Sequence, residues 1–505
     1  MSLARIYARA LSGIEAPEVV VEVHLSAGLP ALSLVGLPET AVKESKDRVR
    51  SAILNSDFEF PAKRITINLS PADLPKEGGR YDLAIALGIL AASEQIPATL
   101  LESHEFIAEL NLSGQLQSVP GVLPCALKCA TAQRTLVLPR GNEAEARLCA
   151  QAELKTASSL QEVVAYLAGV RDLPSVEAAS LEIMRVQHEG DLSEVRGQPQ
   201  ARRALEIAAA GGHNLLFIGP PGTGKTMLAS RLPSILPPMS EDEALLSASV
   251  YSISNQKLDW HKQWRVRPFR APHHTASGVA LVGGGSSPKP GEISLAHAGV
   301  LFLDELPEFS RRVLDVLREP LESGRIVISR ANRSLTFPAR FQLIAAMNPC
   351  PCGYFGDSSG RCRCSTEQVR RYQGQTSGPL LDRIDLHVEV AALPPSLLQK
   401  APAGEPSARV QERVMAARGR QLERQGCTNA ALPAKLRDAF CKLSAEDEAW
   451  FLTAIERLSL SARGYHRLLN IARTIADLDA KPGIERSHLL EALGYRTLDR
   501  YLAAK

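Results

Sequence analysis

One eight-residue run, Gly219-Pro220-Pro221-Gly222-Thr223-Gly224-Lys225-Thr226, limits what this chain can fold into more than any other feature of its sequence. It follows an apolar strand pattern, Asn214 to Ile218, and opens a helical segment near Lys225, the context in which this spacing forms a phosphate-binding loop. Glycines let the backbone wrap phosphates with its N–H groups, and the helix N-terminus adds its dipole. Lys225 supplies a positive charge and Thr226 a hydroxyl for Mg²⁺. ATP and Mg²⁺ are the expected cofactors, on a P-loop α/β sheet.

Two further strands should deliver the remaining chemistry. Val300 to Leu303 ends in Asp304-Glu305, so two carboxylates leave a strand at the carboxyl edge where open α/β sheets bind ligands. Asp304 is expected to hold Mg²⁺ through water, and Glu305 to orient or polarise the attacking water. Phe341 to Ala346 is followed by Asn348, whose amide is placed to contact a γ-phosphate or that water. Without the P-loop beside them, Asp304-Glu305 would read as a solvated strand end and Asn348 as a turn residue before Pro349.

The chain of 505 residues is long enough for about three domains. Strand alternation at Val19, Val21, Val23 and Leu25, and at Ile65, Ile67 and Leu69, with a helical pattern over Glu39 to Leu54, predicts an α+β domain over residues 1–170. A polar linker is expected at 171–190, the ATPase core at 191–393 and a helical lid at 394–505, with helices over Val410–Gly426 and Ser461–Asp479. The longest apolar run, Leu83–Ala92, is about half of the roughly 20 residues that cross a bilayer. With Arg5 and Arg9 breaking any secretory leader, a cytoplasmic protein without membrane spans is expected. Net charge of +3 neither demands nor excludes nucleic acid.

Local clusters say more. Four of the nine cysteines, Cys350, Cys352, Cys362 and Cys364, fall on one short loop. Four thiolates suit a tetrahedral structural Zn²⁺, although one-residue spacing within each pair is tighter than usual and free thiols in a loop are the alternative. Seven arginines lie between Arg311 and Arg340 against Asp315, Glu319 and Glu322. Residues Arg325 to Phe337 alternate like a hairpin with Arg330 and Arg333 at its tip, a candidate grip on a nucleic-acid backbone that would be salt-sensitive and sequence-independent. A solvated charge run is the alternative. His273 and His274 adjoin each other without a carboxylate nearby in sequence. Adjacent side chains on extended chain point apart, which predicts a packing or loop role.

Taken together, Asp191-Leu-Ser-Glu-Val-Arg-Gly-Gln198, Arg270-Ala-Pro-His-His-Thr275, Gly299 to Glu305 and Ser377-Gly-Pro-Leu-Leu-Asp-Arg-Ile-Asp385 resemble the AAA+ ATPases related to the magnesium-chelatase ATPase subunit. Within these, the chain resembles the ComM/YifB group of bacterial DNA helicases. The resemblance implies a homo-hexameric ring with ATP at subunit interfaces, Arg383 as the arginine finger reaching a neighbour's phosphate, and Arg463, with Arg467 as the weaker alternative, as the lid sensor. It implies a hairpin in the central channel, single-stranded and branched DNA as partner, and branch migration when incoming DNA recombines in natural transformation. The rival is a chelatase-type motor that remodels a protein partner. Residues 1–170 look like the proteolytic domain of Lon, but Arg80 stands at the serine position and Leu123 at the lysine position. Neither can serve a Ser-Lys dyad, so proteolysis is not expected.

Overall fold

Strict alternation makes half-buried strands, and the amino-terminal sheet obeys it. The computed structural model describes residues 3–39, 42, 44–178, 190–254, 256, 263–285, 288–330, 333–356, 360–394, 402–458 and 460–496. Strand Glu18–Ser26 turns Val19, Val21, Val23 and Leu25 inward, and its antiparallel neighbour Arg64–Ser70 does the same with Ile65, Ile67 and Leu69. Both belong to a seven-stranded mixed sheet. The apolar run expected to be too short for a membrane forms the helix Asp82–Ala92, every residue of which is buried. A helix apolar on all sides needs an interior, and this one packs on strands Leu3–Arg9 and Glu18–Ser26. Among the described residues no helix is long and apolar enough to cross a membrane.

The chain divides into two units, Met1–Met184 with Ala244–Trp264, and Arg185–Glu243 with Arg265–Lys505. This differs from the expected boundaries in two places. Thr156 N–H donates to Pro174 O, and Val176 N–H to Leu154 O, both at 2.9 Å. The stretch expected to begin a linker at 171 is thus still hydrogen-bonded to the amino-terminal sheet; residues 179–189 of that expected linker lie outside the described residues. Residues 244–264, expected inside the 191–393 core, pack instead with the amino-terminal unit. Ala248 joins a buried cluster with Val122, Leu123 and Cys125, and Ser252 O accepts from Gly121 N–H at 3.0 Å. Such partners are remote in sequence, so no local pattern announces them.

The second unit is built on a five-stranded parallel sheet. Its order is Phe269–Arg270, Val300–Leu303, Gln342–Met347, Leu215–Ile218, Leu386–Glu389. All residues of the three middle strands are buried, as expected of a parallel sheet covered on both faces. The carboxyl-terminal helices expected from periodicity form at Ser407–Gln425 and Ala462–Leu478. They share one core with the sheet, since Val410, Val414, Leu468 and Ile475 cluster with Phe217 and Val388. The hairpin pairs Arg325–Arg330 with Arg333–Pro338 in antiparallel register and sets Arg330 opposite Arg333. Ile326, Ile328, Leu335 and Phe337 anchor it on the buried side. The side chains of Arg330 and Arg333 lie outside the described residues.

Candidate nucleotide site and cysteine cluster

The P-loop leaves strand Leu215–Ile218 at its carboxyl end, and helix Lys225–Ile235 starts immediately after Gly224. Gly222 and Gly224 adopt φ of +77° and +87°, with nothing within 4 Å of where a Cβ would stand. The backbone there is an open cradle at a helix N-terminus, suited to an anion. Lys225 is buried, and its Nζ donates to Gly219 O at 2.7 Å, Pro220 O at 2.8 Å and Asn348 Oδ1 at 3.1 Å. Burial holds its pKa below the usual lysine value, with Asp304 and Glu305 pulling the other way.

Thr226 Oγ1 donates to Asp304 Oδ2 at 2.6 Å, and Asp304 Oδ1 accepts Glu305 N–H at 2.9 Å. Adjacent oxygens on an octahedral Mg²⁺ sit about 2.9 Å apart, from metal–oxygen bonds of about 2.0–2.1 Å. The hydroxyl and carboxylate are therefore close enough to share one ion's coordination sphere or its waters. Glu305 turns out of its strand with φ of +52°. Its Oε2 lies 3.1 Å from His274 Nδ1. This corrects the expectation for the histidine pair: the rings do not point apart but have centroids 4.1 Å apart, and a carboxylate does face them, supplied by the next strand of the sheet.

Strand direction separates the arginines from this cluster. Leu386–Glu389 runs parallel to Leu215–Ile218, with Leu386 beside Leu215 and Glu389 beside Ile218. Arg383 precedes that strand, so it stands at the amino end of the sheet while the P-loop stands at the carboxyl end. A four-residue strand is about 13 Å long, which rules out Arg383 contacting phosphate in its own chain's P-loop. Arg383 is buried, donates to Pro379 O at 2.6 Å and pairs with Glu322. Arg467 is held at the same end, 3.6 Å from Asp385. Arg463 is exposed on the first turn of helix Ala462–Leu478.

The four cysteines converge. Their Sγ atoms all lie within 4.8 Å of one another, with Cys350–Cys352 at 3.3 Å, Cys352–Cys362 at 3.7 Å and Cys350–Cys362 at 3.9 Å. Backbone N–H groups of Tyr354 and Arg363 help pull the Cys352 thiol down to about 6. The loop also abuts the nucleotide site, since a Cβ on Gly353 would lie 2.6 Å from Pro221 Cδ. Tyr372, on the helix Thr366–Gln373 that follows the cluster, is raised to about 12 by burial and then by the carboxylates of Glu308 and Glu305. Neither the Pro221 contact nor Tyr372 carries a sequence signature, because both depend on how the cysteine loop folds back.

In the amino-terminal unit, Arg80 is buried, donating to Arg9 O at 3.4 Å and to Cys125 Sγ at 3.6 Å, and Leu123 is fully buried. A buried guanidinium and a leucine occupy the places where the resemblance to Lon would put a nucleophile and its base.

The sheet, the P-loop and the paired carboxylate strand define a P-loop ATPase-type core of the AAA+ class. The chain belongs to the magnesium-chelatase-like AAA+ family. Residues 191–398 match the family description magnesium chelatase, subunit ChlI; residues 21–142 match subunit ChlI of Mg-chelatase; and residues 404–496 match magnesium chelatase, subunit ChlI C-terminal. The chain is 54% identical over 503 residues to the protein YifB of Escherichia coli, covering 99% of this chain and 98% of that protein. It is 54% identical over 510 residues to the competence protein ComM of Haemophilus influenzae, covering 99% of each. The magnesium-chelatase 38 kDa subunit of Acidiphilium rubrum is 29% identical over 325 residues, 58% of this chain and 85% of that subunit.

Proposed function

We propose that this chain is an ATP-hydrolysing DNA translocase that works in the cytoplasm as a homo-hexameric ring and promotes branch migration when incoming DNA recombines during natural transformation. One observation carries the reading: phosphate-binding groups and Arg383 lie at opposite ends of the same sheet. A triphosphate held at one chain's carboxyl edge meets a guanidinium only if a second chain presents its amino edge. A ring repeats that contact without ends.

Within the site, Lys225 exchanges its carbonyl and amide partners for phosphate oxygens, and the backbone of Gly219 to Gly224 wraps them. Thr226 and Asp304 hold Mg²⁺, which neutralises charge on the phosphates when bound. Glu305 orients the attacking water and accepts its proton, and Asn348 fixes the distal phosphate. Arg383, freed from Glu322, stabilises charge on a neighbour's nucleotide. Arg463, exposed on the lid helix one turn before Arg467, is the sensor that follows a neighbour's nucleotide, and the Arg330–Arg333 hairpin grips the DNA backbone. The cysteines hold a structural Zn²⁺: a tetrahedron with Zn–S bonds of about 2.3 Å has edges of about 3.8 Å, which the sulfur spacings approximate.

Similarity to a protein named for competence extends over 99% of the chain, against 58% for a chelatase subunit, which favours DNA over the protein-remodelling alternative. The deciding experiment measures ATP turnover with single-stranded, forked and four-way DNA, for wild type and Lys225→Ala. Stimulation that disappears in the variant supports the reading. No stimulation by any of the three, with Lys225→Ala equally active, defeats it.

A further inference from the structure

Asn214 lies between the buried His213 and strand Leu215–Ile218, and all of its polar atoms are engaged at the amino edge of the five-stranded sheet. Its backbone N–H donates to Asp385 Oδ2 at 3.0 Å, and its carbonyl accepts the N–H groups of Asp385 and Leu386, each at 3.0 Å. The carboxamide does more: Nδ2 donates to Arg383 O at 2.9 Å, while Oδ1 accepts Leu343 N–H at 2.8 Å. Any residue could make the backbone bonds. Only an amide side chain offers a donor to one main chain and an acceptor to another from a single short stem. It thus ties strand Gln342–Met347 to the turn that carries Arg383.

The base of Arg383 is fastened and its tip is not. Asp385 stands 3.6 Å from His213 Nδ1 and 3.6 Å from Arg467 of the lid helix, and His213 Nε2 is 2.8 Å from Thr474 Oγ1 on the same helix. The guanidinium has as partners Pro379 O at 2.6 Å and Glu322, whose side chain is more than half exposed. Among the described residues its Nε, though buried, has no hydrogen-bond partner. A charge pair with one half-exposed member is a weak hold. The side chain can therefore leave while the main chain stays, which an arginine needs if it is to reach out of its own fold in one fixed direction.

Strand Leu215–Ile218, which runs from Asn214 to the P-loop, is buried throughout and paired on both sides. Close-packed elements move as units. Asn214 stands at one end of a rigid rod about 13 Å long whose other end is Gly219. We propose that Asn214 is a positioning residue for Arg383: its carboxamide fixes the arginine's main chain to the strand that carries the P-loop, so the guanidinium is presented to a neighbouring chain from a base set by its own nucleotide-binding strand. The inference rests on the reading of Arg383 as acting across chains.

The test uses the full chain as Asn214→Ala, Arg383→Ala and the double variant, reading maximal ATP turnover, affinity for a fluorescent ATP analogue, and melting temperature. Misplacing a catalytic group by about 1 Å costs up to about 10²-fold in rate, so Asn214→Ala should lower kcat about tenfold while affinity stays within about twofold. Because both residues act through one guanidinium, the double variant should match Arg383→Ala alone within about twofold. Mixing is the readout that a merely structural role would not move. Asn214→Ala keeps its P-loop and Lys225→Ala keeps its arginine, so random mixing in equal parts makes about a quarter of the sites whole and should give about fivefold more turnover than the two kept apart. Asn214→Ala mixed with Arg383→Ala should regain nothing. If Asn214→Ala melts early, Asn214→Asp, equal in size and still an acceptor for Leu343 N–H, takes its place with the same expected results. Wild-type kcat, losses that multiply in the double variant, a drop in affinity equal to the drop in turnover, or no recovery with Lys225→Ala where Arg383→Ala does recover would each overturn the proposal. If Arg383→Ala itself keeps wild-type turnover, or regains none with Lys225→Ala, the reading of Arg383 falls and takes the proposal with it.

Discussion

Replacing Gly353 with alanine should weaken nucleotide binding while leaving the cysteine cluster assembled. Gly353 has φ of +84°, and its added Cβ would stand 2.6 Å from Pro221 Cδ in the P-loop. Carbon atoms pack at about 3.5–4.0 Å, so Pro221 and the Cys350–Cys364 loop must part by about 1 Å. Left-handed backbone costs alanine a further 1–2 kcal/mol or so. Gly356 provides the control, for it has φ of +82° in the same loop but nothing within 4 Å of its Cβ position. Both variants should lose those roughly 1–2 kcal/mol of stability to backbone strain. Only Gly353→Ala should also displace the phosphate cradle, where the loss of one hydrogen bond to a charged group costs about 1.5–3 kcal/mol. Shared between the two loops, about tenfold weaker binding is expected, or about 1.4 kcal/mol. A fluorescent ATP analogue titrated with Mg²⁺ measures affinity, thermal melting measures stability, and metal analysis checks the cluster. If the two variants bind nucleotide equally well, the cysteine loop does not buttress the P-loop and the reasoning is wrong.

Three further outcomes are expected. Lys225→Ala and Arg383→Ala should each lower turnover by about 10³-fold or more, yet a mixture should regain part of it, because an interface between the two restores one whole site; mixed rings with no recovery would show that Arg383 does not act across subunits. Purified wild type should carry about one Zn²⁺ and Cys352→Ser much less, with nucleotide affinity falling on chelation; less than about a quarter equivalent in wild type would end the zinc assignment. His297 is buried, its Nδ1 accepts Arg340 N–H at 3.1 Å, and burial pushes its pKa down to about 4. The folded state keeps it neutral while the unfolded chain protonates it near pH 6.5, so stability is full above that pH and falls as pH drops toward 4. About 1.4 kcal/mol should be lost by pH 5.5, and a melting profile that His297→Asn leaves unaltered between pH 7 and 5.5 would contradict it.

Sequence alone determined the parts whose cause is local. Spacing of Gly, Lys and Thr after an apolar strand specified the P-loop, because φ freedom, a cation and a hydroxyl must come at those positions to wrap phosphate. Period-two burial specified Glu18–Ser26 and Arg64–Ser70, and the seam of Ala462–Leu478 followed from period 3.6. Four cysteines within one loop marked a candidate cluster, because their sulfurs can meet without help from any remote element; the folded loop brings them within 4.8 Å of one another.

Tertiary structure decided what depends on elements meeting from afar. His274, in the loop after Phe269–Arg270, found its carboxylate just past the end of Val300–Leu303, Gly353 reached Pro221 only through the returning cysteine loop, and Ala244–Trp264 left the second unit for the amino-terminal one. Strand order and direction put Arg383 at the edge opposite Lys225. Local sequence encodes which face of an element is apolar, but the partner of that face is chosen by packing across the whole unit, and that choice brings residues remote in sequence to one place.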